Sequence, residues 1–500
     1  MSENVLRQVR LEKLAKLRSL GFDPYLVERF DSPETAEDLL SGFEEGRKVS
    51  FAGRIVALRE MGKAMFAHLS DGDGKIQIYV RKDEIGNAWE AAKLLDIGDH
   101  VGVRGDLFVT KTGEKSIHVA SVTPLSKALE TLPLGKEKDG QAWYGLEDVE
   151  TRYRHRHLDL VSNPEARVRL VSRSKIVAEV RRFFDSRGFL EVETPILQNE
   201  AGGAAARTFN TQYNAYDVEV QLRISLELYL KRLVCGDLRK VYEIGRVFRN
   251  EGVSNRHNPE FTLLEWYEAF AHLEDVMATV EDLFRSVAER VFGSTVVAPV
   301  SDGPELDFSR PWKRVDLLEE IEKACGLTSE DLSSLPAAQA ALGSRAVVNP
   351  ISGKRIVADE EAHLGGLIEK LLEVFVEPAL QEPTFVVGYP IETSPLAKKD
   401  PARPGFTRRF EGYVLGREVC NAFSEINDPL DQRERFEAQV RERARGNDEA
   451  HPMDEEFLYA LECGMPPTGG CGIGIDRMVM LLTGADHLRE IVLFPMMKPV

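Results

Sequence analysis

Cysteine is scarce in this chain: five in 500 residues, at Cys235, Cys325, Cys420, Cys463 and Cys471. None forms a CxxC pair, and the count is odd, which argues against a disulfide framework and against a zinc site. The N-terminal stretch MSENVLRQVRLEKLAKLRSLG has no continuous apolar core of the secretory kind, so reduced thiols and a cytoplasmic location are expected. No run of about 18 apolar residues occurs, so no membrane span is expected. Basic residues are also in deficit, 64 Lys and Arg against 82 Asp and Glu, for a net charge of −18. A polyanionic partner would therefore have to be met by local patches, such as RYRHRH (Arg152–His157) or the arginine-rich stretch Arg167–Arg187, each of which also reads as a solvated face. Internal repeats and low-complexity tracts are missing too. What remains is a long chain with 43% hydrophobic residues, enough for two to four domains with substantial cores.

Four regions can be distinguished. Residues 1–48 form an N-terminal helical extension, in which Leu6, Val9, Leu14 and Leu17 give one apolar face. That face suits docking on its own protein or an RNA contact. Residues 49–128 hold five β-patterned runs (VSFAGRIVALRE, KAMFAHLSD, KIQIYV, HVGVRGDLFVT, SIHVASVTPL), with a helical run, NAWEAAKLL, before the fourth. This order predicts an all-β barrel of the OB type. A linker without steady period covers 129–150. Residues 151–500 predict an α+β domain on an antiparallel sheet with flanking helices, carrying a helical insertion around 316–380.

Two arginines stand out. Arg249 lies in VYEIGRVFRNE, which runs through a polar loop into PEFTLLEWYEA. This reads as a hairpin with a long loop, and its alternation puts Tyr242, Ile244 and Phe248 on one face. The other face carries Glu243, Arg249, Glu251, Phe261, Glu265 and Tyr267, which suits either a solvated surface or a lined cleft. Arg477 follows Gly470, Gly472 and Gly474, whose missing side chains would let a flat ligand approach the strand. Asp476 is placed to cap a helix that Gly484 ends, with Arg477 in its first turn, where an anion is favoured. A dinucleotide-binding glycine loop would need a following βαβ unit, for which too little chain remains.

These segments resemble motifs 2 and 3 of class II aminoacyl-tRNA synthetases, and SRGFLEVETPIL resembles motif 1. LELYLKRLVCGDLRK, RHNPEFTLLEWYEA, SPLAK, GREVCNAFSEIND and MPPTGGCGIGIDR are similar to the bacterial-type lysyl-tRNA synthetase family, subclass IIb. Thr208 and Leu226 depart from it, each standing where that family commonly has proline. The resemblance implies the class II synthetase fold, with ATP as co-substrate, Mg²⁺ bound with it, and L-lysine and tRNA(Lys) as substrates. It also implies a homodimer through motif 1.

The resemblance carries roles residue by residue. Arg249 and Arg477 would be catalytic, on the α- and γ-phosphates. Glu251, His257, Asn258, Phe261 and Glu411 would complete the ATP site. Gly203, Glu227, Glu265, Tyr267, Asn421 and Glu425 would bind lysine. Glu411 and Glu418 would hold Mg²⁺, and Arg54, Phe66, Gln77 and Glu114 would read the anticodon. Phe66 also fits the barrel core.

Residue chemistry bears on two of these assignments. Glu411 and Glu418 converge only if FEGYVLGRE is a hairpin turning near Val414–Leu415, which would make them cross-strand partners. Glu418 and Asn421 have opposite parity, so both face one site only if a bulge lies between them. The acidic pocket set argues against an aspartyl or asparaginyl member of the subclass, which would need a cation for its substrate side chain. A relative that modifies a protein would lack the barrel. A catalytically silent RNA-binding protein would be expected to lose the phosphate arginines or metal carboxylates, and all four are present.

Overall fold

The computed structural model describes residues 3–138, 141–143, 145–252, 254–255, 257–298, 304–343, 347–348, 355–356, 363–447 and 450–499. Parts of the expected linker (139–140 and 144) and of the helical insertion lie outside them. Contacts divide the chain into two units, Met1–Arg167 and Val168–Val500.

The first unit is built on a closed barrel of β1 (Lys48–Met61), β2 (Ala64–Ser70), β3 (Lys75–Arg81), β4 (His100–Val109) and β5 (Lys115–Ser126), in the order β1-β2-β3-β5-β4. Pairing of β1 with β4 closes it. Alternate residues fill the interior, among them Phe51, Ile55, Leu69, Ile78, Val101, Val103 and Ile117, all essentially unexposed. The N-terminal helix α1 (Glu3–Ser19) docks on this unit. Leu14 and Leu17 are buried, and Arg10 donates to the carbonyls of Ala128 (2.7 Å), Glu130 (2.9 Å) and Ile97 (3.1 Å). Of the two uses open to its apolar face, the structure shows docking on its own protein. The linker region contains a short hairpin, Lys136–Lys138 paired with Gln141–Trp143.

The second unit holds an eight-stranded sheet. Its strands are β6 (Leu190–Glu191), β7 (Lys240–Phe248), β8 (Glu260–Ala269), β9 (Lys313–Asp316), β10 (Thr384–Val387), β11 (Arg409–Val414), β12 (Arg417–Ser424) and β13 (Thr468–Gly474). They run β9-β10-β11-β12-β13-β8-β7-β6. Pairing is antiparallel except at the two outermost pairs. The parallel β9–β10 pair needs a long crossover, and the helical insertion supplies it, leaving the sheet at Asp316 and returning at Thr384.

Three helices pack on this sheet: α2 (Pro164–Ser186), α3 (Glu227–Cys235) and α4 (Leu273–Phe292). Helix α4 buries Val276, Met277, Val280, Leu283, Phe284 and Val287, a 3.6-residue stripe, and stops at Gly293, whose φ of +77° suits a left-handed cap. Trp266, Leu264 and Tyr242 enter the core beneath it. The opposite face of the central strands is left to line a cavity.

Candidate active site and nucleic-acid surface

A cavity of about 610 Å³ opens on the central strands of the second unit. Strand register explains its lining. One cross-strand row runs Glu411, Asn421, Gly472, Glu265, Glu243; the next runs Arg409, Phe423, Gly470, Tyr267, Val241. Residues in such rows share a face, so sequence-distant groups meet. Arg249, Glu251, His257, Asn258, Phe261, Glu265, Tyr267, Glu418, Asn421, Glu425 and Arg477 all line this one cavity, with Gly203 and Glu227. The hairpin's second face is therefore a lined cleft, not a solvated surface.

Arg249 follows β7 directly. Its guanidinium lies over the Phe261 ring, 5.2 Å from the centroid. Its Nε donates to the Ile224 carbonyl at 3.4 Å, and among the described residues no carboxylate lies within ion-pair distance. Burial depresses its pKa, so this is a cation short of an anion. Arg477 sits in the first turn of α5 (Ile475–Thr483) and pairs with Glu418 at 2.6 Å. Asp476 does not cap that helix; Gly474 is the cap residue. The Asp476 carboxylate instead accepts from the Thr262 N–H at 3.0 Å and pairs with Arg173, tying the helix start to β8. The glycine row is also used differently from expectation. A Cβ at Gly470 would fall 2.1 Å from Glu425 Oε1 and 2.4 Å from the Tyr267 ring, so the vacated space holds pocket side chains. Only at Gly472 and Gly474, whose nearest neighbours are ordinary contacts, does the strand stay bare.

The acidic end of the cavity is closely built. Glu265 accepts from Ser225 Oγ (2.9 Å), the Leu226 N–H (3.2 Å) and the Tyr267 hydroxyl (3.1 Å). The Leu226 bond is one that a proline there could not make. Burial, followed by the nearby Glu227 charge, pushes the Glu265 carboxyl up to about 7. Burial likewise raises Glu227 and Glu425. Lys231, which sequence reasoning missed, pairs with both Glu227 and Glu425. Its spacing of four from Glu227 on one helix was the available signal. Apart from Lys231, neither oxygen of Glu425 has a hydrogen-bond partner among the described residues. Asn421 accepts from Arg409 Nε at 3.0 Å through its carbonyl oxygen, which leaves its amide N–H groups for a ligand carboxylate. Gly203, at φ +89°, packs against Ser225 and Glu227.

The presumptive metal pair needs correction in its register. The β11–β12 hairpin turns at Leu415 and Gly416, both at positive φ (+52° and +64°), as the two-residue turn requires. Glu411, however, pairs with Asn421, and Glu418 pairs with Tyr413, so the two glutamates are not cross-strand partners. The register slips at Val419, and this is the bulge that lets Glu418 and Asn421 share a face. Glu418 reaches the cavity. Glu411 lies behind the wall, held by Arg409 Nη2 (2.6 Å) and the hydroxyls of Tyr389 (2.9 Å) and Tyr413. Among the described residues, no group of three or more His, Cys, Asp or Glu is arranged to hold an ion alone. A divalent cation arriving with phosphate ligands fits better. Glu377, pushed up to about 7 first by burial and then by Glu411 and Glu418, is a third carboxylate near this pair.

On the barrel of the first unit, Phe66 points outward. It stacks on Tyr79 (centroids 4.7 Å apart), which continues to His118 (5.7 Å) and Phe108 (5.8 Å). Gln77 shares that face and donates to Ser116 Oγ at 2.8 Å; Glu114 Oε1 lies 2.9 Å from His68 Nε2. Arg54 does not join the row, since its guanidinium donates to the Gly98 carbonyl at 3.0 Å. The arginine directly across from Phe66 is Arg59. A bulge at Val56 changes the parity of β1, so alternation counted from Arg54 misses it.

A chain with a barrel bearing a ring platform, and an antiparallel sheet cradling two arginines, matches known families along nearly all its length. Residues 148–498 match the family described as tRNA synthetases class II (D, K and N), and residues 49–125 match the OB-fold nucleic acid binding domain. The chain belongs to the class II tRNA synthetases. Within that class, eight similar relatives share one name. The lysine–tRNA ligase of Thermoanaerobacter sp. (strain X514) is 48% identical over 99% of this chain and 96% of its own length. Those of Moorella thermoacetica (100% and 99% covered) and Staphylococcus haemolyticus (100% of both) are also 48% identical.

Proposed function

We propose that this protein is an ATP-dependent ligase that activates L-lysine as lysyl-adenylate and transfers it to the 3′ end of tRNA(Lys). The observation that carries this reading is one cavity holding an unpaired Arg249 at one end and Glu227, Glu265 and Glu425 at the other. Lysine is an α-carboxylate with two ammonium groups, and this arrangement is its complement. The lysine carboxylate attacks the α-phosphorus of ATP, the bond to the bridging oxygen breaks, and pyrophosphate leaves with that electron pair. A ribose hydroxyl at the tRNA end then attacks the activated carbonyl and AMP leaves. Neither step needs a protein nucleophile; positioning and charge stabilisation carry the catalysis. Arg249 orients the carboxylate and α-phosphate, with Phe261 offering its free ring face to adenine. Arg477 takes the γ-phosphate. Glu251, His257 and Asn258 contact the nucleotide. Mg²⁺ would be held by Glu418, with Glu411 behind it, and would neutralise phosphate charge when bound. Glu227 and the Gly203 carbonyl take the α-amino group; Glu265, Tyr267, Asn421 and Glu425 enclose the rest of the substrate.

Amino-acid-dependent ATP–pyrophosphate exchange across all twenty amino acids tests this. Exchange with lysine alone is expected; exchange with aspartate or asparagine would overturn the pocket assignment. The pH dependence follows from Glu265. An ammonium ligand needs that carboxylate ionised, so lysine binding is expected to weaken as pH falls through about 7. The KM for lysine should rise by roughly up to tenfold per unit below that point, while the KM for ATP stays flat. A lysine KM independent of pH between about 6 and 8 would remove Glu265 from the pocket.

The ring platform of the first unit supports anticodon reading by stacking of unpaired bases. Phe66, Gln77 and Glu114 keep their proposed roles, and Arg59 is a better candidate than Arg54. Phe66→Ala is expected to lower tRNA charging by roughly tenfold, the effect of losing about 1–3 kcal/mol of stacking, and to leave lysine-dependent exchange intact. Equal loss of both steps would refute the modular reading. Homodimerisation is supported by exposed apolar groups on the stretch that resembles motif 1: Leu190, Ile196 and Leu197. Such a ligase acts in the cytoplasm; no described helix is long and apolar enough to cross a membrane.

A further inference from the structure

Lys231 has no role in the reaction described so far, yet it lies at the floor of the lysine pocket. It is unexposed and does not line the cavity. Its ammonium pairs at once with Glu227, the proposed α-amino acceptor, and Glu425, the proposed side-chain acceptor. The rings of Phe423 (5.1 Å), Tyr267 (5.8 Å) and Phe457 (5.9 Å) enclose it, so it has no path to water. Helical spacing from Glu227 and complete burial fix it in place.

We propose that Lys231 is a positioning residue for substrate selection: an internal counter-ion that cancels one of three buried carboxylate charges and leaves two. Two is the number of ammonium groups in lysine. Glu227, Glu265 and Glu425 carry three negative charges when ionised; Lys231 removes one and a bound lysine removes the others, while Arg249 answers the substrate carboxylate. Without Lys231, one carboxylate must hold a proton in its place, because a third unpaired charge cannot persist in a closed site.

The other ionisable groups facing this cluster do not supply that charge. His451 is driven down to about 4, first by burial and then by Lys231, and is neutral. Arg409 is committed to Glu411 and Asn421. Tyr267 and Cys471 are held in their neutral forms, chiefly by burial. Lys231 itself stays charged because Glu227 and Glu425 outweigh its burial. A side chain that lacks the terminal ammonium leaves a carboxylate charge uncompensated in wild type. Protonated carboxyls, as in a Lys231 variant, would accept it more readily.

The inference rests on the lysine-activating reading, and its test separates the two. Lysine binding is measured calorimetrically in buffers of different ionisation enthalpy, for wild type and for the uncharged Lys231→Met, with the exchange KM for ATP as a control of folding. Lys231→Met is expected to release no more protons per lysine than wild type, because the proton that stands in for Lys231 stays when lysine binds. Its selectivity for lysine over norleucine should fall by roughly tenfold or more at unchanged ATP KM. Unchanged selectivity in a folded Lys231→Met protein overturns the proposal. If Lys231→Met does not fold, Lys231→Arg decides. It keeps the charge and should retain the wild-type selectivity; a folded Lys231→Arg protein that loses it would show that charge is not what Lys231 provides. Failure of wild type to bind lysine at all would instead refute the functional reading.

Discussion

Arg249→Ala is expected to abolish lysine-dependent ATP–pyrophosphate exchange, by at least about a thousandfold, or about 4 kcal/mol of transition-state stabilisation. The reason lies in what Arg249 does not do in the folded chain. Arg477 is neutralised by Glu418, whereas Arg249 has one long bond to a carbonyl and a ring beneath it. Its charge is available for an incoming carboxylate and phosphate, and its planar fork meets two oxygens at once. For the same reason the substitution breaks no ion pair, so thermal stability should change by less than about 1 kcal/mol. Exchange kinetics and a thermal melt on the same protein check both halves. Near-normal exchange would remove Arg249 from the chemistry, and a collapsed melt would reassign it to the fold.

Gly470→Ala is the second large effect, and it should fall on lysine rather than ATP. The added methyl would overlap Glu425 Oε1 at 2.1 Å and the Tyr267 ring at 2.4 Å. Neither can retreat easily, because Glu425 is tied to Lys231 and Tyr267 to Glu265. The strand itself is not strained, since Gly470 is not among the positive-φ glycines. The cost is therefore steric and local, of the overpacking kind, about 1–3 kcal/mol. The lysine KM is expected to rise by roughly tenfold to a hundredfold with the ATP KM little changed. Gly472→Ala is the contrast, its nearest neighbour being Glu265 Cγ at an ordinary 3.6 Å, so the fold should accept it. A Gly470→Ala protein with normal lysine KM would mean that the pocket is softer than its contacts indicate.

Much of this was legible before any coordinates. Period-two patterning with turn residues marked the barrel strands, and alternation in VYEIGRVFRNE and PEFTLLEWYEA separated Tyr242 and Ile244, which face the core, from Arg249, Glu265 and Tyr267, which line the cavity. Opposite parity of Glu418 and Asn421 foretold a bulge, and one lies at Val419. The misses share a cause. Arg54 looked available to a base because its bond to the Gly98 carbonyl was not visible. Asp476 looked like a cap because its position, not its partner in β8, was visible. Glu411 and Glu418 were placed opposite each other because the slip that aligns Asn421 also displaces them.

The sequence by itself determined the class of protein, the two kinds of domain, and which residue types could meet phosphate, ammonium and unpaired bases. Those follow from local periodicity, which is written into neighbouring residues. Tertiary structure alone decided which charges are left over. Arg249 is free and Arg477 is paired; Glu425 is answered from below by Lys231; Glu411 is enclosed by Arg409 and two tyrosines. Whether a buried charge is satisfied depends on groups brought from distant strands and helices, and on the water they exclude, so no local pattern can record it.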